Sequence, residues 1–471
     1  MAKTNLKSDW HASHMALAAQ TYLKNKHNML EGFESIEDFA VDETSLDPKD
    51  KRGIEHHLIN LRAALARHLW RKEVFVGVSL LDMLVFGAVR DNTADYGLEV
   101  LKRLSNASVS PGFIIFPLHS TGIVQPAPLS LATNVRFVLF KKPGFAVVAQ
   151  GNDYTATLAG IGAAMKGLGI KGALDLDDWR HHMQAGHLKW FTRNPLLLVK
   201  ITSVTGAYYE NQFVYALKLR LINAMLMMLA SFNAVGAKTK DLPTTRRINN
   251  WQTLDIHHYL LGEAFKPAKP NAHVEIDVRR VPMNLNAVDL AQLSDVPITI
   301  DTEALKLAKN TTRLTKVAAA ITAIEQGYRE HVMLPRDKKT ANANIYRKLV
   351  LSLDWYRRSF SATARDSEAV IALAVAFETL LSDFYTPGVT AKIIARVGAC
   401  LKGNSAAAKY QTAVQSLFDK RGKAVHLGGF DGTPDLLLAR RAYALCLAKI
   451  VFLLPLTVKK ANEPIRLLFG V

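Results

Sequence analysis

The sequence predicts a mainly α protein. An antiparallel helical bundle is expected over residues 301–471, preceded by a larger α-rich domain, residues 1–300, that carries a few β-strands. Three observations predict it. Apolar residues recur at helical spacing through most of the chain, and after residue 301 such runs follow one another across short connections. Strand-like runs bounded by turn residues are confined to residues 108–151 and to a fragment near residue 276.

In chain order, about the first 45 residues are polar, with acidic positions at Glu31, Glu34, Glu37, Asp38, Asp42, Glu43 and Asp47. They fit one short helix before a turn at Asp47-Pro48. Ile54, Leu58, Leu61, Leu65 and Leu69 then define an amphipathic helix from Gly53 to Trp70. Between Ser108 and Gly151 the pattern changes. Phe113-Ile114-Ile115-Phe116 follows Pro111-Gly112, and residues 135–140 and 145–149 flank Lys141-Lys142-Pro143-Gly144 as strand, turn and strand. Helical spacing returns from Tyr208 to Phe232, where Leu219, Ile222, Met225 to Met228 and Leu229 make a broad apolar face with the methionines as core filler. Pro267-Ala268-Lys269-Pro270 opens a stretch running to Pro297 that contains strand-like Val274 to Val278 and places a domain boundary near residue 300.

Beyond residue 301 only helices are expected: Leu314 to Glu330, Ala343 to Phe360, Asp366 to Phe384, Thr390 to Leu401, Ser405 to Lys420 and Pro434 to Leu454. Asp366-Ser367 and Pro434 are good helix starts, and Gly388 and Gly403 are stops.

Composition limits the function. With 471 residues, 49% of them hydrophobic and 21% charged, the chain can bury a large core and is not a disordered protein. No membrane segment is expected, because Phe213 to Ala230 is interrupted by Lys218 and Arg220 and the run Ile450 to Leu456 falls far short of a bilayer core of about 30 Å. The polar start, Met1 to Lys7, is unlike a signal peptide, and two cysteines, Cys400 and Cys446, fit small core residues in a reducing compartment, so a cytoplasmic location is expected. Histidine doublets at residues 56–57, 181–182 and 257–258 lack acidic or Cys partners at ligand spacing. No metal site and no cofactor are expected. The net charge of +18 points to a polyanionic partner, and residues 301–471 hold 26 Lys and Arg against 14 Asp and Glu, two thirds of that excess.

Within that basic region Arg421 and His426 are separated by four residues near the end of an apolar-periodic helix. With 26 Arg and 15 His in the chain, about 0.8 such pairs arise by chance, and Arg52 with His57 is a second. Context separates the two. Arg52 and His57 belong to a solvated helix start, whereas Arg421 and His426 follow two further segments: Ile371 to Leu381, ending Glu378-Thr379-Leu380-Leu381, and Ala391 to Leu401, carrying Arg396-Val397.

These three segments, in this order, resemble the HEPN superfamily and in particular its Apea-like branch, over roughly residues 310–460. Gly422 directly after the Arg, and Leu427 between His426 and the Gly428-Gly429 pair, depart from the usual pattern. The resemblance implies a HEPN-like antiparallel bundle and a metal-independent endoribonuclease of prokaryotic antiphage or toxin systems. Its site forms where two protomers bring their Arg and His elements together, so RNA and a second copy of the chain are the implied partners, with a regulatory antitoxin or a phage trigger as a further one. His426 would be the general acid/base and Arg421 the cation on the scissile phosphate. Lys420 and Lys423 either contact the RNA backbone or form an ordinary charged, solvated face. Glu378 shares a helix face with Ile371, Ala374, Val375 and Leu381, and a carboxylate buried there needs a partner such as Arg396, giving a structural ion pair or an accessory to the site.

The chemistry is coherent with those residue types. Cleavage without metal needs a base for the 2′-hydroxyl proton, an acid for the leaving oxygen and a cation for the charge that develops on phosphorus, and His and Arg supply these near neutral pH. On a continuous helix an offset of five residues sets the two side chains about 140° apart. Convergence on one phosphate therefore requires a helix end between them, for which Gly422 offers flexibility, or a second protomer. The alternative reading is a HEPN-type RNA-binding or dimerisation module that does not cut, with His426 structural. Residues 1–300 would sense a trigger or select substrate.

Overall fold

The computed structural model describes residues 6–7, 9–42, 45–71, 76, 78–106, 108–109, 112–118, 121–124, 137–149, 153–170, 177, 179–181, 190–201, 217–233, 258–263, 265–266, 277–283, 289–290, 293, 295–333, 341–360, 366–383, 388–432, 435–456, 465 and 468. Parts of several expected elements fall outside these: residues 135–136, 208–216, 267–270, 274–276, 384 and 434.

The first unit is helical: α1 His14–Lys24, α2 Ile36–Val41, α3 Pro48–Arg71, α4 Val78–Arg90 and α5 Tyr96–Asn106. Local chemistry sets the starts. The Ser13 hydroxyl accepts from the Ala16 N–H and that of Ser35 from the Asp38 N–H, satisfying donors that the first helical turn leaves open. Ile54, Leu58, Leu61, Leu65 and Leu69 are all buried along α3, as their spacing requires. Arg62 on α3 forks onto both oxygens of Asp82 on α4, at 2.9 and 2.7 Å. This unit closes around a core of its own, from Leu6 to Leu104.

A six-stranded antiparallel sheet follows, larger than the few strands expected. It comprises β1 Phe113–Pro117, β2 Phe137–Phe140, β3 Phe145–Val148, β4 Leu196–Lys200, β5 His258–Glu263 and β6 Asp277–Pro282, in the order β2-β3-β4-β1-β5-β6. Strand β1 is buried along its whole length. Its alternate residues serve two cores, since Phe113 and Ile115 join one cluster while Ile114 and Phe116 join another. Helix α6, Tyr154–Leu168, belongs to the first cluster; Asp153 caps its N-terminus and Gly169, at φ +67°, closes it. Helix α7, Leu219–Asn233, belongs to the second and is buried nearly all round.

From residue 302 the described chain is helical, with α8 Ala308–Tyr328, α9 Ala341–Arg358, α10 Asp366–Leu381, α11 Val389–Cys400, α12 Ala407–Leu427 and α13 Leu436–Leu453. Asp435 caps α13 through the Leu438 N–H, at 3.0 Å. Helix α10 buries residues on every side and packs on α9, α11, α12 and α13.

The core does not stop at residue 300. Helix α7 packs against α8, α9 and α13, and one apolar cluster runs from Ile114 through Ile465. Polar ties cross the same line. Lys218 pairs with Glu325 at 2.7 Å, Arg220 with Asp354 at 3.6 Å, the Asn310 amide donates to the Phe232 carbonyl at 3.3 Å, and Arg441 donates to the Ser231 carbonyl. Among the described residues, no helix is long and apolar enough to cross a membrane.

Candidate functional site

Helix α12 carries Arg421 and His426. Its buried residues Tyr410, Ala413, Val414, Leu417 and Phe418 follow the i, i+3, i+4, i+7, i+8 spacing that seats one face in the core. Full burial ends there. Arg421, Gly422 and Ala424 are half-buried, and Lys423, Val425, His426 and Leu427 are exposed, so the helix leaves the core over its last turn. The helix stops at Gly428, whose φ of +75° is the left-handed cap that favours glycine.

Of the two routes to convergence, a helix end between Arg421 and His426 is therefore absent. Gly422 is helical, and the backbone runs unbroken through both residues. Among the described residues nothing in the surrounding packing requires glycine at 422, because a Cβ built there meets none of their atoms within 4 Å. Gly422→Ala should consequently raise stability by about 0.5–1 kcal/mol, through lower unfolded-state entropy and better helix propensity. Thermal or urea unfolding checks it; a destabilised variant would show that the site depends on backbone freedom at this position.

Arg421 lies beside Glu378, with Nη2 3.6 Å from Oε1, while its Nε is buried without a hydrogen-bond partner among the described residues. The side chains are 37% and 25% exposed, which limits this pair to about 0–1 kcal/mol. Such a contact orients the guanidinium without holding it against a phosphate, which offers more charge and bidentate geometry.

Glu378 thus pairs with a residue other than the expected one. Arg396 is buried and donates from Nη1 to the Leu381 carbonyl at 2.5 Å, at the C-terminal end of α10. Lys348 donates to the neighbouring Ser382 carbonyl. Burial lowers the Lys348 pKa, against the opposing pull of Asp383. Both cations therefore sit where a helix leaves carbonyls unsatisfied and its dipole is negative, and this environment holds Arg396 one turn beyond Glu378.

Lys420 and Lys423 differ in what they touch. Lys420 donates to the Gly432 carbonyl at 2.9 Å and lies 5.5 Å above the Phe430 ring, tying the loop after α12 back onto the helix. Lys423 is exposed. Alongside, a cleft of about 400 Å³ is lined by Asp366, Ser367, Gly428, Gly429, Phe430 and Gly432. Sequence reasoning missed Phe430 and the cleft, and read Asp366 only as a helix start; the available signal was the Gly428-Gly429 pair one residue beyond His426.

The second Arg and His pair is placed differently. Helix α3 begins at Pro48, so Arg52 and His57 lie within it and not at its start. The His57 ring stacks on Tyr22 with centroids 4.2 Å apart, and burial together with neighbouring His56 lowers its pKa. Its imidazole is a packing element in the N-terminal unit. Among the described residues no group of three His, Cys, Asp or Glu side chains is arranged to hold a metal ion. No family model matches the chain, and no curated protein or solved structure matches it.

Proposed function

We propose that the protein is a metal-independent endoribonuclease of the HEPN type that acts as a homodimer in prokaryotic antiphage defence or a toxin system. The observation that carries this reading is the end of α12, where exposed Lys423 and His426 follow the half-buried Arg421 in the most basic part of the chain. Because the helix is unbroken, Arg421 and His426 diverge by about 140° around its axis. One chain alone therefore does not direct both at one phosphate, and the working site combines Arg421 of one protomer with His426 of the other. In that composite site His426 exchanges protons with the 2′-hydroxyl and the leaving oxygen, and Arg421 stabilises the charge on phosphorus, giving a 2′,3′-cyclic phosphate.

The Glu378 contact to Arg421 favours a second reading, in which the guanidinium is a structural group and the module binds RNA or dimerises without cutting. Purified protein incubated with total RNA and with tRNA in EDTA separates the two. Cleavage is expected under the first reading; intact RNA that is nevertheless bound, with affinity falling steeply as salt rises, supports the second.

A further inference from the structure

The cleft that begins two residues beyond His426 is not used by the proposed cleavage chemistry. It has a volume of about 400 Å³ and lies between the loop after α12 and the first residues of α10. That volume is within the range of small-molecule sites, about 300–1,000 Å³. Its walls differ in chemistry. Phe430 is half-buried and packs against the main apolar cluster, Asp366 supplies an exposed carboxylate, and Ser367 supplies a hydroxyl. The contact from Lys420 to the Gly432 carbonyl, at 2.9 Å, holds the loop in place.

Glycine keeps the cleft open. Gly428 and Gly432, at φ +75° and +72°, are glycines that the turn requires. Gly429 has no such need. Its φ lies outside the left-handed region, and a Cβ built there meets no atom of the described residues within 4 Å.

We infer that the cleft is a guanine-selective base pocket of the nuclease site. This rests on the ribonuclease reading and adds which nucleotide the site selects. The Asp366 carboxylate disfavours a phosphate in the cleft and leaves the uncharged base as the part of a nucleotide that fits. Unpaired RNA bases are read along their Watson–Crick edges and against aromatic side chains, and Phe430 supplies the aromatic wall. The guanine edge carries two adjacent donors, N1–H and N2–H, which one carboxylate accepts as a bidentate pair, while O6 beside them accepts from the Ser367 hydroxyl. Adenine, cytosine and uracil each set an acceptor next to their donor, and that acceptor faces a carboxylate oxygen with no proton between them.

The placement relative to Arg421 agrees. Gly428 follows Arg421 by seven residues, so the two share a face of α12, about 10 Å apart along its axis. A single nucleotide is long enough to bridge them. The base sits in the cleft, and its 3′-phosphate lies toward Arg421 of the same protomer.

The test uses the full-length protein in EDTA. Equilibrium dialysis measures binding of the four nucleoside 3′-monophosphates, with inorganic phosphate as a competitor, and cut sites are mapped on RNA containing all four bases. The guanosine nucleotide is expected to bind about tenfold or more tightly than the other three, with cuts on the 3′ side of guanine. Asp366→Asn should weaken guanosine nucleotide binding by about 5- to 150-fold, the discrimination that one bidentate base contact carries. Gly429→Leu should block all four nucleotides with folding intact by thermal unfolding, and Asp366→Asn alone decides if the leucine variant folds poorly. Equal binding of the four nucleotides, no binding of any, binding unchanged in the variants, or displacement by inorganic phosphate at the nucleotide's own concentration would overturn the inference. RNA cut without base preference also overturns it, and leaves the nuclease reading standing. Guanosine nucleotide bound selectively while RNA stays intact supports the pocket and counts against the nuclease reading alone.

Discussion

Replacing His426 with alanine is expected to lower the rate of RNA cleavage by about 10²–10⁴-fold, the loss typical of removing a positioned acid/base group. The thermal midpoint should not move, because the side chain is exposed at the end of α12. Arg421→Ala should cost about 10²–10³-fold through lost charge stabilisation. Arg421→Lys should recover only part of that loss, since an ammonium replaces the planar fork. The unbroken helix yields a stronger expectation. If each site takes Arg421 from one protomer and His426 from the other, an equal, freely exchanging mixture of the two inactive alanine variants contains hetero-pairs with one intact site. Random pairing then restores about a quarter of wild-type activity. A site contained within one chain would leave the mixture inactive. Cleavage unchanged in both single variants would remove Arg421 and His426 from the chemistry altogether and attribute any activity to other residues.

The parts of this arrangement that were legible in the sequence are those fixed by short-range periodicity. Helices expected at Thr390 to Leu401 and Pro434 to Leu454 are found at Val389–Cys400 and Leu436–Leu453, because a strong 3.6-residue apolar pattern is bounded by Gly388, Gly403 and an aspartate cap. Strands β4 and β5 escaped notice for the opposite reason. Leu196-Leu197-Leu198-Val199 is buried on both faces of a central strand, so it shows no alternation and reads equally well as a piece of buried helix. Gly422 suggested a break that the backbone does not make, since glycine permits a helix end without imposing one. The Glu378 partner was unreadable because it is decided by packing. Whether Arg396 or Arg421 reaches that carboxylate depends on how α11 and α12 sit against α10, and on the carbonyls at the end of α10 that attract Arg396. The proline-rich stretch before residue 300 looked like a linker, and no local pattern reveals that α7, ahead of it, packs among the helices that follow.

Glu325→Ala is expected to be the most destabilising of the substitutions considered, because that same continuity across residue 300 depends on a buried charge. Lys218, directly before α7, places Nζ 2.7 and 3.0 Å from the two Glu325 oxygens on α8, and 3.2 Å from the Pro143 carbonyl in the β2–β3 turn. The side chains are only 7% and 12% exposed, so solvent does little to screen them. Removing the carboxylate strands an ammonium in the core at a cost of about 3–5 kcal/mol, a large share of a total stability of about 5–15 kcal/mol. Lys218→Met should do comparable damage by stranding the carboxylate. The pair itself need not be worth that much, since its attraction is offset by desolvation of both ions. The double variant Lys218→Met, Glu325→Leu should therefore regain most of the loss, with a coupling of several kcal/mol between the two sites. Urea unfolding of the four proteins measures that coupling. Single variants within about 0.5 kcal/mol of wild type would mean that water or another anion reaches Lys218. A loss confined to a separate transition of the C-terminal helices would contradict a core shared with the sheet, because the ion pair joins α7 and the sheet turn to α8, and its removal should weaken all of them together.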